Sequence, residues 1–144
     1  MSNTDNIRDQ VIGNITDIIN EIRINDMNDS ILTQENNLQE AMGYVESVRD
    51  FLSKPENILG SDKTKFGEIA EQVEVGIRNA KDALNGDTIK ATFDGVGRTA
   101  PEDYIIDGVQ VQSKFINGIN NNLRHVLEHM NKYKGFSDNG YYQI

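Results

Sequence analysis

The sequence predicts an α+β protein: a helical hairpin over residues 1–57, then a core over 58–144 in the order helix, strand, strand, strand, helix and a short last strand. Three observations carry this. Apolar residues recur at spacings of three and four through the first 84 positions, the signature of amphipathic helices. The period drops to two after Asn85-Gly86, as half-buried strands require. It returns to the helical value from Ile116 onward.

Ile7, Val11, Ile15, Ile18 and Ile22 form the stripe of a first helix, with Asn3 or Thr4 as its cap. The polar run IRINDMNDS interrupts that stripe. Asp29 or Ser30 is then placed to cap a second helix, with Leu38, Ala41, Met42, Val45, Val48 and Leu52 as its stripe and Pro55 as its stop. Two such helices joined by a polar link form an antiparallel hairpin. Ser61 opens a third helix whose expected core face is Phe66, Ile69, Ala70, Val73, Ile77, Ala80 and Leu84, closed by Asn85-Gly86. In Thr88–Phe93, Ile89, Ala91 and Phe93 alternate with polar residues, which predicts a strand. The run YIIDGVQVQSKF centres on Asp107-Gly108, a strong hairpin signal because both turn positions need positive φ. Ile116, Ile119, Leu123, Val126, Leu127, Met130 and Tyr133 mark the last helix, and GYYQI closes the chain as a short strand. So brief a final strand leaves the core incomplete, or the chain a fragment of a longer protein.

Composition narrows the function classes. The 144 residues include no cysteine, which removes disulfides, thiolate catalysis and Cys-based zinc sites. The first ten residues carry no apolar targeting core, and no uncharged apolar run is long enough to span a bilayer; a cytoplasmic protein that does not enter membranes is the expectation. The net charge of −9 is uneven. Residues 1–60 hold 11 acidic and 4 basic side chains, whereas residues 61–144 hold 12 and 10. The first part repels phosphate and favours a basic protein partner, so contact with DNA is expected only through residues 61–144.

With Asp107-Gly108 as a two-residue turn, Ile106 pairs with Val109, Ile105 with Gln110, Tyr104 with Val111 and Asp103 with Gln112. Alternation then gives one apolar face of Tyr104, Ile106, Val109, Val111, Ser113 and Phe115. The other face carries Asp103, Ile105, Gln110, Gln112 and Lys114, bringing a carboxylate, an amide and an ammonium onto neighbouring positions.

This pattern resembles the PD-(D/E)XK nuclease superfamily, whose restriction-endonuclease-like core has the same helix–strand–strand–strand–helix–strand order. The resemblance covers roughly residues 61–144. Asp103, in Pro101-Glu102-Asp103, matches the family's second-strand acid. Gln112-Ser113-Lys114 matches its third-strand triplet in the Q-x-K form of the Mrr-like branch. Glu68 or Glu71, in FGEIAEQVE, matches the glutamate of its first helix. The resemblance implies hydrolysis of DNA phosphodiesters, in restriction, defence or mobile-element processing. It also implies Mg²⁺ or Mn²⁺ held through Asp103 and Gln112, with Lys114 positioning the water and balancing charge in the transition state. Arg98, Arg124 and His125 are the side chains available for flanking phosphates.

Other motifs weigh less. His125-Val126-Leu127-Glu128-His129 spells H-x-x-E-H, but a zinc enzyme of that type needs a third ligand well downstream and only fifteen residues follow. Two solvent-facing histidines are the plainer reading. Gly95-Val96-Gly97 precedes a strand and so offers no helix N-terminus to a phosphate. The competing reading of the whole chain is a non-enzymatic acidic module, mimicking nucleic acid and binding the basic groove of a protein through helices 1–57.

Overall fold

The computed structural model describes residues 3–62 and 64–144. The elements run α1 (Asn3–Ser53), a 3₁₀ turn (Pro55–Asn57), α2 (Lys65–Asn85), β1 (Ala91–Thr92), β2 (Tyr104–Ile106), β3 (Val109–Ser113), α3 (Ile119–Lys132), α4 (Phe136–Asn139) and β4 (Gly140–Gln143). The protein is α+β. None of its described helices is long and apolar enough to cross a membrane.

The expected N-terminal hairpin is instead one 51-residue helix. The run IRINDMNDS contains neither Pro nor Gly, and its Asn and Asp residues each cost only about 0.7 kcal/mol or less against Ala in a helix. Polarity interrupts the stripe without ending the hydrogen-bond ladder. Asn3, Thr4, Asp29 and Ser30, expected as caps, all lie within the helix. The stop near Pro55 is as expected, with α1 ending at Ser53.

The chain divides into two compact units, Met1–Asn37 and Leu38–Ile144. In the first, the described residues form a helical segment whose side chains are exposed throughout, apart from half-buried Asn37. Its apolar residues change phase between Ile22 and Ile24. Two positions at ~100° per residue place these on roughly opposite sides.

In the second unit, a four-stranded sheet has the order β1-β2-β3-β4. β1–β2 and β2–β3 are antiparallel, and β3–β4 is parallel. The parallel pair is linked through α3, the kind of long connection that a parallel neighbour requires. The core is Val75 of α2 against Ala91, Tyr104 and Val111, with Phe93 and Ile106 packed on it. Asn79 joins helix to sheet with two bonds: its Nδ2 donates to the Ala91 carbonyl at 2.8 Å, and the Ala91 N–H donates to its Oδ1 at 3.1 Å. On its other flank α2 meets the end of α1 at Gly76, where an added Cβ would lie 2.0 Å from Val48 Cγ2.

These contacts overturn two expected helix faces in part: Ile69, Ala70, Val73 and Ala80 of one, and Ile116, Val126 and Tyr133 of the other, are half-buried as expected. α2 starts at Lys65 rather than Ser61 and buries Val75, Gly76, Asn79 and Ala83. Phe66, Ile77 and Leu84, expected inside, are exposed. α3 buries Asn122, while Ile119, Leu123, Leu127 and Met130 face outward. The first strand is also shorter than Thr88–Phe93, although Ala91 is buried and Phe93 packs on the core as the alternation requires. Gly86 ends α2 in the left-handed conformation, its N–H bonded to the carbonyls of Ala83 and Asp82, as the Asn-Gly signal predicts.

Candidate functional site

The site is built on the β2–β3 hairpin. Asp107 and Gly108 take φ values of 50° and 77°, the conformation that a two-residue turn demands. The turn sets the register: Ile106 opposite Val109, Ile105 opposite Gln110 and Tyr104 opposite Val111, as read from the sequence. The Asp103 N–H continues the ladder by donating to the Val111 carbonyl at 2.8 Å. Alternation then separates the faces. Tyr104 and Val111 are 0% exposed in the core, and Asp103, Gln112 and Lys114 share the opposite face.

Asp103 is held on that face by two donors to the same oxygen. The Ser113 N–H reaches Oδ2 at 2.7 Å, and the Gln112 Nε2 amide donates to it as well. Gln112 is only 6% exposed and also donates to the Ser113 carbonyl at 3.2 Å. Lys114 is anchored through its backbone, its N–H donating to the Gln143 carbonyl of the β4 end at 2.8 Å.

Electrostatics tie α2 to this cluster. Burial pushes the Glu71 carboxyl up to about 7; the nearby Asp103 and Glu68 carboxylates add to the rise and Lys114 opposes it. Burial also raises Asp103, against the Ser113 N–H and Lys114. It lowers Lys114, against the attraction of Asp103 and Glu71. The two helix glutamates have different surroundings. Glu68 accepts from the backbone N–H groups of Leu59 and Gly60, at 3.3 and 2.8 Å, and so clamps the loop before α2. Glu71 is the one that interacts with both Asp103 and Lys114.

Of the expected phosphate contacts, His125 lines an open cleft with Gln112 and Lys114. Arg98 and Arg124 are exposed and do not line it. His129, expected to face solvent beside His125, is half-buried with both ring nitrogens bonded. Its Nε2–H donates to the Pro101 carbonyl at 2.7 Å, so its Nδ1 accepts from the Tyr142 hydroxyl at 2.8 Å. Its ring packs against Tyr133, Phe136 and Tyr142. Burial lowers its pKa, and the bond to Pro101 opposes that shift. With both nitrogens engaged, His129 does not pair with His125 as a zinc ligand. His129 is instead a brace between α3, β4 and the segment that carries Asp103. Its neighbours in the sequence give no signal of this, because Pro101 and Tyr142 are distant along the chain.

Among the described residues no three His, Asp or Glu side chains form a metal-holding group. The cluster supplies two carboxylates, Glu71 and Asp103, beside the Gln112 amide. That hard-oxygen set fits Mg²⁺, which keeps several waters and uses one or two carboxylates, better than an ion needing a closed protein cage. The upward push of Asp103 and Glu68 on Glu71, second to that of burial, is negative potential that a cation relieves. The chain matches no family model, no curated protein and no solved structure.

Proposed function

We propose that residues 61–144 form a metal-dependent hydrolase domain acting on phosphodiesters. Within that class the reading is a PD-(D/E)XK-type nuclease of the Mrr-like Q-x-K kind acting on DNA, in restriction, defence or mobile-element processing. The observation that carries it is the meeting of Glu71, Asp103, Gln112 and Lys114 at one place from α2, the start of β2 and the end of β3. The strand order, with three antiparallel strands and a fourth parallel to the third beyond a helix, supports the same reading.

Each residue has a distinct task in this proposal. Asp103 and Glu71 would hold Mg²⁺ or Mn²⁺. When bound, that ion polarises the phosphoryl oxygen and lowers the pKa of a water. Gln112 holds Asp103 in place through its amide. Lys114 positions the water and offsets charge that grows on the phosphorus oxygens. Its lowered pKa makes the proton easier to give up than that of an exposed lysine.

The test is Mg²⁺ or Mn²⁺ titration calorimetry on the intact protein, on Asp103→Ala and on Lys114→Ala, followed by nicking of supercoiled DNA. Binding by the intact chain that is lost in Asp103→Ala supports the site. Absence of binding by the intact chain sinks it. A second reading, an acidic protein-binding module, is favoured by the exposed isoleucines and acidic side chains of Met1–Asn37. It predicts capture of a basic protein by the intact chain, with no dependence on Asp103.

A further inference from the structure

α3 turns a polar face toward the sheet. Positions 125, 129 and 132 follow the i, i+4, i+7 rule, and with Glu128 they line an open cleft of about 280 Å³ whose other side is Gln112 and Lys114 of β3. Two ammonium groups act on this cleft. Burial lowers the pKa of His129 most, and Lys114 and Lys132 both add to that. Among the described residues Lys132 has no carboxylate in ion-pair range; its Nζ lies 4.9 Å from the centre of the Tyr133 ring. Glu128 also lines the cleft, its Oε2 3.8 Å from His125 Nδ1, too long for a hydrogen bond. His129 has no free nitrogen. The cations facing the cleft are therefore Lys132, with no carboxylate in ion-pair range among the described residues, and Lys114, which Asp103 and Glu71 also attract.

We propose that this cleft seats the phosphodiester backbone of the DNA next to the scissile bond, with Lys132 as its principal contact and His125 beside it. The inference rests on the hydrolase reading above and assigns its substrate contacts to α3 rather than to Arg98 and Arg124. A phosphate between Lys114 and Lys132 would connect the reacting position to the flanking backbone. Such contacts orient the strand without reading its sequence.

The experiment is fluorescence anisotropy with a short fluorescein-labelled DNA duplex in Ca²⁺, over a range of salt concentrations. It uses the intact chain, Lys132→Gln, Arg98→Gln and Arg124→Gln. Lys132→Gln should weaken binding for any sequence and reduce the slope of log K against log salt by roughly 0.9, the loss of one phosphate contact. The two arginine variants should keep the parent slope. An unchanged slope in Lys132→Gln, a reduced slope only in an arginine variant, or no duplex binding by the intact chain overturns the proposal. The metal site is read separately by calorimetry. Asp103-dependent Mg²⁺ heat that persists in a Lys132→Gln protein with unchanged slope means that the seat is wrong and the metal site right. Its absence from the intact chain means that the parent reading has failed.

Discussion

The helical residues 3–37 of the first unit and the hairpin of the second invert the usual relation between residue type and burial. Ile7, Val11, Ile15, Ile18 and Ile22 are exposed along the helix. At the hairpin Gln112 is buried, Glu102 is buried, and Asp103 and Lys114 are half-buried. A stripe of isoleucines is a capacity for burial, and a second surface must meet it before any apolar area leaves water. A buried polar residue needs partners: Gln112 finds Asp103 and Ser113, whereas Glu102 Oε2 has no hydrogen-bond partner. Periodicity therefore reports which face could be buried, and hydrogen bonding reports which face can bear it.

Four substitutions sharpen this contrast, all read by thermal or denaturant unfolding. The largest effect is expected at Gly76→Ala. The new methyl meets Val48 Cγ2 at 2.0 Å, and a β-branched side chain in a helix has little rotamer freedom to yield. A loss of about 2–3 kcal/mol is expected, and unchanged stability would mean that α1 and α2 do not approach closely here. Asn79→Ala comes next. It leaves the buried Ala91 N–H and carbonyl without their side-chain partner and should cost about 2 kcal/mol.

Glu71→Gln should act in the opposite direction. The Glu71 carboxyl is raised from 4.5 to about 7 on folding, so the folded protein binds the extra proton. The stabilisation from that proton is full below pH 4.5 and is lost as pH rises to about 7. In chelator, Glu71→Gln should match the parent at pH 4 and exceed it at pH 8 by about 1 kcal/mol, a figure reduced for the partial exposure of the group. A variant with a pH profile parallel to the parent's would rule out a strained carboxyl at this position. The smallest effect is expected at Ile15→Gln in the first unit. Ile15 is 52% exposed, so the change should stay within about 0.5 kcal/mol. A loss several times larger would show that the stripe is covered in solution.

Much of the hairpin was legible because its information is local. Asp107-Gly108 dictates a turn, the turn dictates the register, and alternation places Asp103, Gln112 and Lys114 on one face. The stop at Gly86 and the end of α1 before Pro55 are local in the same sense. The single long α1 lies outside what periodicity reports, because a gap in an apolar stripe is not a gap in the backbone ladder, which here continues to Ser53 just before Pro55.

The faces of α2 and α3 were beyond the reach of periodicity. Both helices have a well-formed apolar stripe, and in both the contacts to the sheet side fall on other residues as well: Val75 and Asn79 in one case, His129 in the other. The choice between Glu68 and Glu71 was open for the same reason, since each flanks the stripe and only the placement of the loop at Leu59 and Gly60 commits Glu68 elsewhere. The sequence by itself thus determined the turn, the strand register and the residue types at the site, because those follow from interactions between near neighbours in the chain. The tertiary structure alone decided which helix face meets the sheet and which glutamate meets Asp103, because those depend on contacts between residues far apart in sequence, where packing and hydrogen-bond satisfaction compete and apolar periodicity does not always win.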